Sequence, residues 1–286
     1  MSTKFFNHFG RDIMSIIGMI HVRPLPGTPA CNKQFDIQQL VDHACNDALI
    51  YVRQGLHGIL VENMFDRPYI KHDDAGPEIT ATMTRVCSEV RRVVPERIPC
   101  GVQILAGLNH EALAVAIASQ FQFIRVEGFV FSHVADEGLM TIACAGPLLR
   151  YRRQIDAEHI LVLTDIKKKH CSHSITDDLD LTETARAARF FLTDGLIITG
   201  RETGDPPTLT DFDQINQSLI DDHVPLLIGS GLTVENLSGF FKNKNIAAAI
   251  VGSYFKHKGK WFNSLCEDNV RTFMHKYNQL LQQQQQ

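Results

Sequence analysis

The chain has 286 residues, 44% of them hydrophobic and 21% charged, and its formal net charge is −4. This composition describes a globular protein with enough apolar residues for a large core, and the negative charge argues against a general nucleic-acid binder. The seven cysteines never form a CxxC pair, which indicates reduced thiols inside a cell, and no apolar run is long enough to span a membrane.

The first residues, MSTKFFNHFGRDIMS, form a short segment with several basic residues and one acid, Asp12. Two interpretations stay open. The segment has the character of a short mitochondrial presequence, but its brevity favours a frayed leader in front of the first strand. We assign residues 1–14 to a flexible leader, residues 15–278 to the folded domain, and the glutamine-rich residues 279–286 to a tail that we expect to be disordered.

Eight apolar runs rich in β-branched residues predict strands that are buried on both faces. Between several of them the apolar period becomes helical, with Asp36 as a predicted N-cap and with capping-box spacing at Asp180 and Glu183. The strands are expected at Ile16–His21, Gly58–Glu62, Gly101–Leu105, Phe123–Glu127, Ile160–Asp165, Gly195–Thr199, Pro225–Gly229 and Ala248–Gly252.

Strand–helix alternation of this kind predicts an α/β fold, a single (β/α)8 TIM barrel. A doubly wound open sheet is the alternative, and it is disfavoured because no GxGxxG follows the first strand. The segments that follow strands are long, such as Phe129–Gly146 and Lys168–Asp180, whereas those that return from helices are short, such as Gly55–His57. This asymmetry favours an active site at the C-terminal end of the barrel.

The last two predicted strands each end at a glycine–serine pair. Glycine lets backbone N–H groups approach an anion closely, and a helix expected from Thr233 adds partial positive charge at its N-terminus. Loops of this kind after strands 7 and 8 predict a phosphate site, with ordinary tight turns as the alternative. The residues expected to hold the phosphate are Gly229, Ser230, Gly231, Gly252 and Ser253.

Polar side chains close most of the remaining strands, and the barrel would bring them to one mouth. Asp165 and Glu62 are the acid/base candidates, and Lys167 or Arg125 would stabilise negative charge. Strand alternation puts Lys167 on the same face as Asp165, so we prefer it to Lys168. His21 is a further catalytic candidate. The expected substrate contacts are Arg23, Asn63, Glu127, Thr199 and Gly200.

Plainer readings of these residues stay open. Arg125 and Glu127 can form a structural ion pair, His21 can be a core histidine, and the lysine run can be a solvated loop. Metal-ligand types cluster around His170, but the spacing matches no zinc pattern and the lysines would repel a cation. We therefore expect no cofactor and keep a divalent metal as the less favoured alternative. The sequence contains no GxSxG nucleophile elbow, and this argues against a serine hydrolase.

A set of segments in this order resembles the BtpA family over about residues 14–275. The resemblance implies a TIM barrel without a firmly assigned activity; the family is named for a cyanobacterial photosystem I biogenesis factor. The chain departs from the family pattern after strand 3, where it reads QILAGLN, and at Glu127–Gly128. The segments that carry the resemblance are HVRPLPGTP, GILVENMFDRPY, GPEITATMTRV, TDIKKKH, DGLIITGRETGDPP, GSGLTVENL and AAIVGSYFKHKG.

Two functions remain for such a chain. The first is an enzyme that acts on a phosphorylated small molecule, a sugar phosphate or a nucleotide, by isomerase, lyase or glycosidic-bond chemistry. The second is an assembly factor that keeps the barrel and its anion site. We expect a soluble intracellular protein, cytoplasmic by preference and mitochondrial as the alternative. We expect a phosphorylated ligand and no nucleic acid, and we leave a homo-oligomer open.

Overall fold

The computed structural model describes residues 3–10, 13–200, 204–220 and 223–284. Eight parallel strands close into one barrel in which each strand pairs with its neighbours in sequence, and the last pairs with the first. Each predicted strand is present, and each predicted end lies within two residues of the observed one. The strands are β1 (Ser15–His21), β2 (Gly58–Glu62), β3 (Cys100–Gln103), β4 (Phe123–Val126), β5 (Leu161–Ile166), β6 (Gly195–Ile198), β7 (Leu226–Ile228) and β8 (Ile246–Val251).

Helices alternate with these strands. Asp36 caps the helix that follows it by accepting a hydrogen bond from the amide of Gln38, and Asp180 and Glu183 form the expected capping box. No helix within the described ranges is long and apolar enough to cross a membrane. The helices are α1 (Thr3–Phe9), α2 (Ile37–Arg53), α3 (Pro77–Val93), α4 (Asn109–Ala118), α5 (Ala145–Gln154), α6 (Leu181–Phe190), α7 (Leu209–Ser218), α8 (Leu237–Phe241) and α9 (Glu267–Gln284).

Alternating side chains divide the strands between two cores. Residues of one parity, such as Met19, Leu60 and Leu163, fill the barrel interior, and the others pack against the surrounding helices. Gly101 belongs to the interior set, where a Cβ atom would lie 2.2 Å from the ring of Phe123. The interior parity continues to the C-terminal strand ends, and there it delivers polar side chains in place of apolar ones.

The N-terminal segment differs from the expected leader. Residues Thr3–Phe9 form helix α1, and the rings of Phe5 and Phe9 are buried in the barrel interior. The Phe9 ring lies 5.7 Å from that of Phe123. Phe5 and Phe9 close the N-terminal end of the barrel. The predicted boundary between a leader and the folded domain at residue 14 therefore divides residues that belong to one core. Residues 1–2 and 11–12, with Asp12, lie outside the described residues.

The glutamine-rich end also differs from the expectation. Helix α9 continues through Gln284, so the predicted disordered tail from residue 279 is helical as far as the structure describes it. Its apolar stripe reaches Leu280, which is buried, and Gln284 accepts a hydrogen bond from Lys244. The packing of that stripe against the barrel extends the helix. Residues 285–286 lie outside the described ranges.

A three-stranded antiparallel sheet lies beside the barrel mouth. We call it the lid sheet, and its strands are His133–Ala135, Gly138–Met140 and Cys171–Ser172. The first two form a hairpin in the loop after β4, and the third belongs to the loop after β5. Two of the long loops predicted at the C-terminal end are therefore ordered by pairing with one another.

Candidate functional site

A cavity of about 640 Å³ opens at the C-terminal end of the barrel. It is lined by strand ends, by the loops after β7 and β8, and by the turn of the lid sheet, which contributes Asp136 and Glu137. Most residues predicted for the site lie on its wall. They are His21, Glu62, Arg125, Glu127, Asp165, Gly229, Ser230, Gly231, Gly252 and Ser253.

Strand register brings three polar side chains into one row. His21 of β1 pairs with Glu62 of β2, and Glu62 pairs with Gln103 of β3. All three are buried and line the cavity. The side-chain oxygen of Gln103, Oε1, has no hydrogen-bond partner within the described residues. A buried acceptor of this kind, facing a cavity, suits the hydroxyl group of a ligand.

The next two strands along the barrel, β4 and β5, hold a buried ion pair. Arg125 donates from Nε and Nη2 to the two carboxylate oxygens of Asp165, at 2.8 Å each. The side chains are only 7% and 1% exposed. Removing one partner of such a pair leaves an uncompensated buried charge, and this lowers the stability of the folded chain. Both catalytic candidates are thus also structural.

Glu127 pairs with Lys168 and not with Arg125. The Lys168 ammonium lies 2.9 Å from Glu127 Oε1, and the second carboxylate oxygen accepts a hydrogen bond from the Gly107 amide at 3.1 Å. Burial opposes ionisation of Glu127, but Lys168 and Arg125 outweigh it and lower the pKa of the carboxyl below its usual value. Glu127 is therefore ionised and held in a fixed orientation.

Lys169 and Glu62 belong to neither of these ion pairs. Burial, and then the charge of Arg125, lower the pKa of Lys169 to about 8. Burial raises the pKa of Glu62, against the opposing charges of Arg125 and Lys169. Both groups line the cavity, and both are shifted towards their neutral forms. The site thus contains an amine and a carboxylic acid with perturbed pKa values, as acid/base chemistry requires.

The ring of His21 is neutral at neutral pH. Burial, and then the charge of Lys256, lower its pKa well below the ordinary value. Its Nδ1 lies 3.1 Å from the carbonyl oxygen of Trp261, which can only accept, so Nδ1 carries the proton. The unprotonated Nε2 is directed towards Gly252, where an added Cβ atom would lie 3.7 Å from it. His21 therefore presents an acceptor beside the loop after β8.

The loops after β7 and β8 carry backbone amides without protein acceptors. The N–H groups of Ser230, Gly231, Gly252 and Ser253 donate to no backbone or side-chain acceptor in the part of the chain that the structure describes. All four residues line the cavity. Amide donors from two adjacent loops form the kind of nest that binds a phosphate group.

Other parts of these loops are already engaged. The Ser230 hydroxyl donates to the carbonyl oxygen of Asp205 at 2.7 Å and accepts from the Gly200 amide at 3.1 Å. Gly231 has a φ of +73°, and a Cβ atom there would lie 2.1 Å from the nitrogen of Pro206. This glycine is required by the close approach of another loop as well as by its backbone conformation.

The helix expected from Thr233 begins later. Residues 234–236 form a turn, and α8 starts at Leu237. The Thr233 amide donates to the side-chain oxygen of Asn236 at 2.8 Å, and the Asn236 amide group donates to the carbonyl oxygen of Gly231 at 2.9 Å. Because the Thr233 amide is hydrogen-bonded to Asn236, it is not the free helix N-terminal donor for an anion that the sequence had predicted.

Three predicted residues close to strand ends lie away from the cavity wall. Lys167 has a φ of +44°, so the strand alternation stops there and the preference for it over Lys168 loses its geometric basis. Lys168 and Lys169 line the cavity instead. Thr199 accepts a hydrogen bond from the Lys169 amide at 3.0 Å, and Gly200 donates to Ser230. Both support loops around the site.

Arg23 and Asn63 also have partners away from the cavity. Arg23 donates to the ring of His43 and lies over the ring of Phe65, with its Cζ atom 4.7 Å from the ring centre. Asn63 has the outward parity of β2, is fully buried, and accepts a hydrogen bond from the Leu105 amide at 2.8 Å. These two residues hold the loops after β1 and β3.

Sequence reasoning missed several cavity residues. Gln103 follows from the interior parity of β3, and the lysine run after β5 contained Lys168 and Lys169, but the reversal at Lys167 is invisible in a sequence. Trp261 enters from a segment with no strand or helix period. Across the described ranges, no group of three or more His, Cys, Asp or Glu side chains is placed to hold a metal ion.

Comparison with known sequences identifies relatives along nearly the whole chain. The BtpA family matches residues 13–279. A Caenorhabditis elegans protein whose name includes the word mitochondrial is 42% identical over 268 residues, 93% of this chain and 93% of that protein. The photosystem I biogenesis protein BtpA of Synechocystis is 31% identical over 259 residues, 91% of this chain and 86% of that protein.

Solved structures with the same barrel are more distant. Phosphoribosyl anthranilate isomerase from Thermus thermophilus aligns with a TM-score of 0.55 at 11% identity, covering 93% of this chain and 100% of that one. Thiamine phosphate pyrophosphorylase from Pyrococcus furiosus aligns with a TM-score of 0.51 at 10% identity, covering 96% and 98%. At such low identity these likenesses show the TIM-barrel fold alone.

Proposed function

The chain belongs to the BtpA family, and from the geometry of its cavity we propose that it is an enzyme that acts on a phosphorylated small molecule by acid/base chemistry. A sugar phosphate or a nucleotide is the proposed substrate class. The loops after β7 and β8 hold the phosphate, and the charged wall of strand ends acts on the rest of the molecule. Phosphoribosyl anthranilate isomerase and thiamine phosphate pyrophosphorylase, which share the fold, also carry phosphorylated compounds in their names.

The observation that carries this proposal is the set of four cavity-lining amides without protein acceptors. Ser230, Gly231, Gly252 and Ser253 supply them from two neighbouring loops. Amides at a cavity wall that lack a protein acceptor need an acceptor from the cavity, and an anion satisfies several of them at once. Serine hydroxyl groups do not carry this proposal, because Ser230 already bridges Gly200 and Asp205.

The proposed acid/base groups are Glu62 and Lys169, which belong to neither the Arg125–Asp165 nor the Glu127–Lys168 ion pair. Glu62 has a raised pKa and can donate a proton, and Lys169 has a lowered pKa and can accept one. The unprotonated Nε2 of His21 and the side-chain Oε1 of Gln103 accept hydrogen bonds from ligand hydroxyl groups. Arg125 offers positive charge to a developing anion while its pair with Asp165 holds it in position.

Thermal unfolding in inorganic phosphate tests the anion site. A ligand that binds only the folded state at 100 times its Kd stabilises a protein by about 2.7 kcal/mol, and each kcal/mol raises the Tm of a chain of this size by about 2–4 °C. We expect phosphate to raise the Tm, and chloride at equal ionic strength to have a smaller effect.

Gly252→Asp is the variant for this test, and Gly239→Asp is its matched control. An added Cβ at Gly252 meets only ordinary contacts and lies at the cavity, so the carboxylate repels the anion without a clash. Gly239 is exposed, and nothing lies within 4 Å of an added Cβ, so the same charge is placed outside the site. Loss of the Tm shift in Gly252→Asp alone is expected. A full shift in both variants, or none in the wild-type protein, contradicts the phosphate site.

The assembly-factor function is favoured by two observations. The Synechocystis relative is named for photosystem I biogenesis, and four of the site's charges neutralise one another as Arg125–Asp165 and Glu127–Lys168 pairs. A ligand that copurifies with the protein, identified by mass spectrometry, separates the two functions. A phosphorylated metabolite turned over on incubation supports the enzyme, whereas a stable protein complex without turnover supports the assembly factor.

The name of the C. elegans relative favours the mitochondrial alternative for the compartment. We propose this location for the present chain as well. Imaging of the full-length chain with a C-terminal fluorescent tag tests the location, and a signal outside mitochondria contradicts it.

A further inference from the structure

We propose that Lys169 is an imine-forming nucleophile, which attacks the carbonyl carbon of a phosphorylated aldehyde or ketone held in the barrel cavity. This inference rests on the proposed function, because the loops after β7 and β8 bind the phosphate group of the substrate. It deepens that function by naming the substrate as a carbonyl compound and by giving the chemistry a covalent step.

The position of Lys169 follows from the chain reversal after β5. Lys167 takes a positive φ, and the chain then brings the next two lysines to the cavity wall. The Lys169 backbone is fixed there by the hydrogen bond from its amide to Thr199 Oγ1, 3.0 Å away. This hydrogen bond ties the Lys169 backbone to the loop that follows β6, beside the cavity.

Lys169 also differs from its neighbours in its ionic partners. Lys168 forms an ion pair with Glu127, and Arg125 donates two hydrogen bonds to the carboxylate of Asp165. Neither of these cations is therefore available as a nucleophile. Lys169 belongs to neither pair, and it lies close enough to Arg125 to be disfavoured as an ammonium ion. Desolvation next to another cation is one of the ways in which proteins activate a lysine amine.

The protonation state agrees with this role. With a pKa of about 8, Lys169 is a neutral amine in about a tenth of the molecules at pH 7. An ordinary lysine with a pKa near 10.5 has a neutral fraction about 300-fold smaller at the same pH. Lys168 differs in the opposite direction, because Glu127 outweighs burial and raises its pKa.

Atoms and charges balance in the proposed step with Glu62 as the proton donor. The neutral amine adds to the carbonyl carbon, and a proton moves from nitrogen to oxygen to give a carbinolamine. The Glu62 carboxylic acid then protonates the departing hydroxyl group. The C–O bond breaks with loss of water, and an iminium ion on Lys169 and a Glu62 carboxylate remain. Burial raises the pKa of Glu62 and so favours the protonated carboxyl group that this step uses.

Borohydride trapping on the wild-type chain tests the proposal without relying on the folding of a variant. Pyridoxal 5′-phosphate is the probe, because it carries an aldehyde and a phosphate, and pyridoxal is its matched control without the phosphate. After reduction with sodium borohydride, fragmentation of the peptides that span residues 160–180 locates the adduct. The labelling is measured against pH, and again with excess inorganic phosphate.

We expect pyridoxal 5′-phosphate to modify Lys169 at least about tenfold faster than Lys168 or surface lysines, with a midpoint near pH 8 rather than near the ordinary lysine pKa. Excess phosphate should slow this labelling, and pyridoxal should react more slowly. Lys169→Arg should abolish the adduct, and Lys168→Arg should retain it. Glu62→Gln should slow adduct formation with the Lys169 pH midpoint still present.

Two failures are distinguishable. Equal labelling of Lys168 and Lys169, a midpoint near pH 10, or no adduct at Lys169 overturns the imine proposal, even if phosphate still raises the Tm. If pyridoxal and pyridoxal 5′-phosphate instead modify Lys169 at equal rates, and inorganic phosphate does not compete, the phosphate-binding site of the proposed function is contradicted. Fast, low-pH labelling at Lys169 in that case leaves the reactive amine established.

Discussion

The two ends of the barrel are closed in opposite ways. At the N-terminal end the rings of Phe5 and Phe9 continue the apolar interior, and helix α1 covers the strand starts. At the C-terminal end the same inward parity delivers Arg125, Asp165 and Glu62, and a cavity of about 640 Å³ remains open. One end is stabilised by burial of apolar area, which does not depend on pH or on anions. The other is stabilised by charge pairing, which depends on both.

This difference shows where the barrel can tolerate a reactive site. A charged group that lacks an ion-pair partner destabilises a buried position, and burial shifts the pKa values of Lys169 and Glu62 towards their neutral forms, which cost less to bury. The apolar N-terminal end contributes stability that does not change when these groups gain or lose a proton. Variants of each end should therefore fail in different ways.

The largest effect is expected from Asp165→Asn at the charged end. The substitution leaves the Arg125 guanidinium buried without its bidentate partner, and we expect a loss of about 3–5 kcal/mol in the free energy of unfolding. Chemical denaturation measures the loss. Adding Arg125→Met should restore much of it. If Asp165→Asn alone costs less than about 1 kcal/mol, the ion pair does not support the mouth.

A somewhat smaller effect is expected from Phe9→Ala at the apolar end. Removing a buried phenylalanine costs about 3–5 kcal/mol in a closed core, and we expect about 3 here because α1 can detach rather than leave a cavity. The Tm shift caused by phosphate should stay unchanged. Phe190→Ala is the control, because that ring is 81% exposed and should cost less than about 0.5 kcal/mol. A weakened phosphate response in Phe9→Ala would mean that the two ends are coupled.

An effect that is negligible at neutral pH and grows only in alkali is expected from the ionisation of Lys169. Its pKa is about 8 in the folded chain and about 10.5 when unfolded, so the unfolded state binds more protons between these values. The stability of the wild-type chain relative to Lys169→Met should therefore rise between pH 8 and 10.5, by up to about 3 kcal/mol. Denaturation curves of both proteins across this range measure the difference.

The same pH series compares the two ends directly. The stability difference between Phe9→Ala and the wild-type chain should be constant from pH 8 to 10.5, because an apolar contact binds no proton. A difference for Lys169→Met that is equally constant would mean that the amine is already solvated as in the unfolded chain.

The sequence by itself determined the barrel and most of its mouth. Apolar runs that alternate with helical periods predicted all eight strands, and the barrel topology predicted that the strand ends bring Glu62, Arg125 and Asp165 to one mouth. These predictions rest on local patterns, because a short apolar run shows where a strand lies and which polar residue ends it. The resemblance to the BtpA family was likewise readable from short segments and is confirmed.

Only the tertiary structure decided which charges meet. Arg125 pairs with Asp165, forty residues away, because β4 and β5 lie side by side, and Glu127 pairs with Lys168 of the loop beyond. The positive φ of Lys167 ends the alternation that had favoured it, and it brings Lys169 into the cavity. The position of α1 depends on the contact between the rings of Phe9 and Phe123, and the Phe123 ring in turn lies against Gly101. Distances between strands and the conformation of single loop residues set these contacts, and neither has a period that a sequence displays.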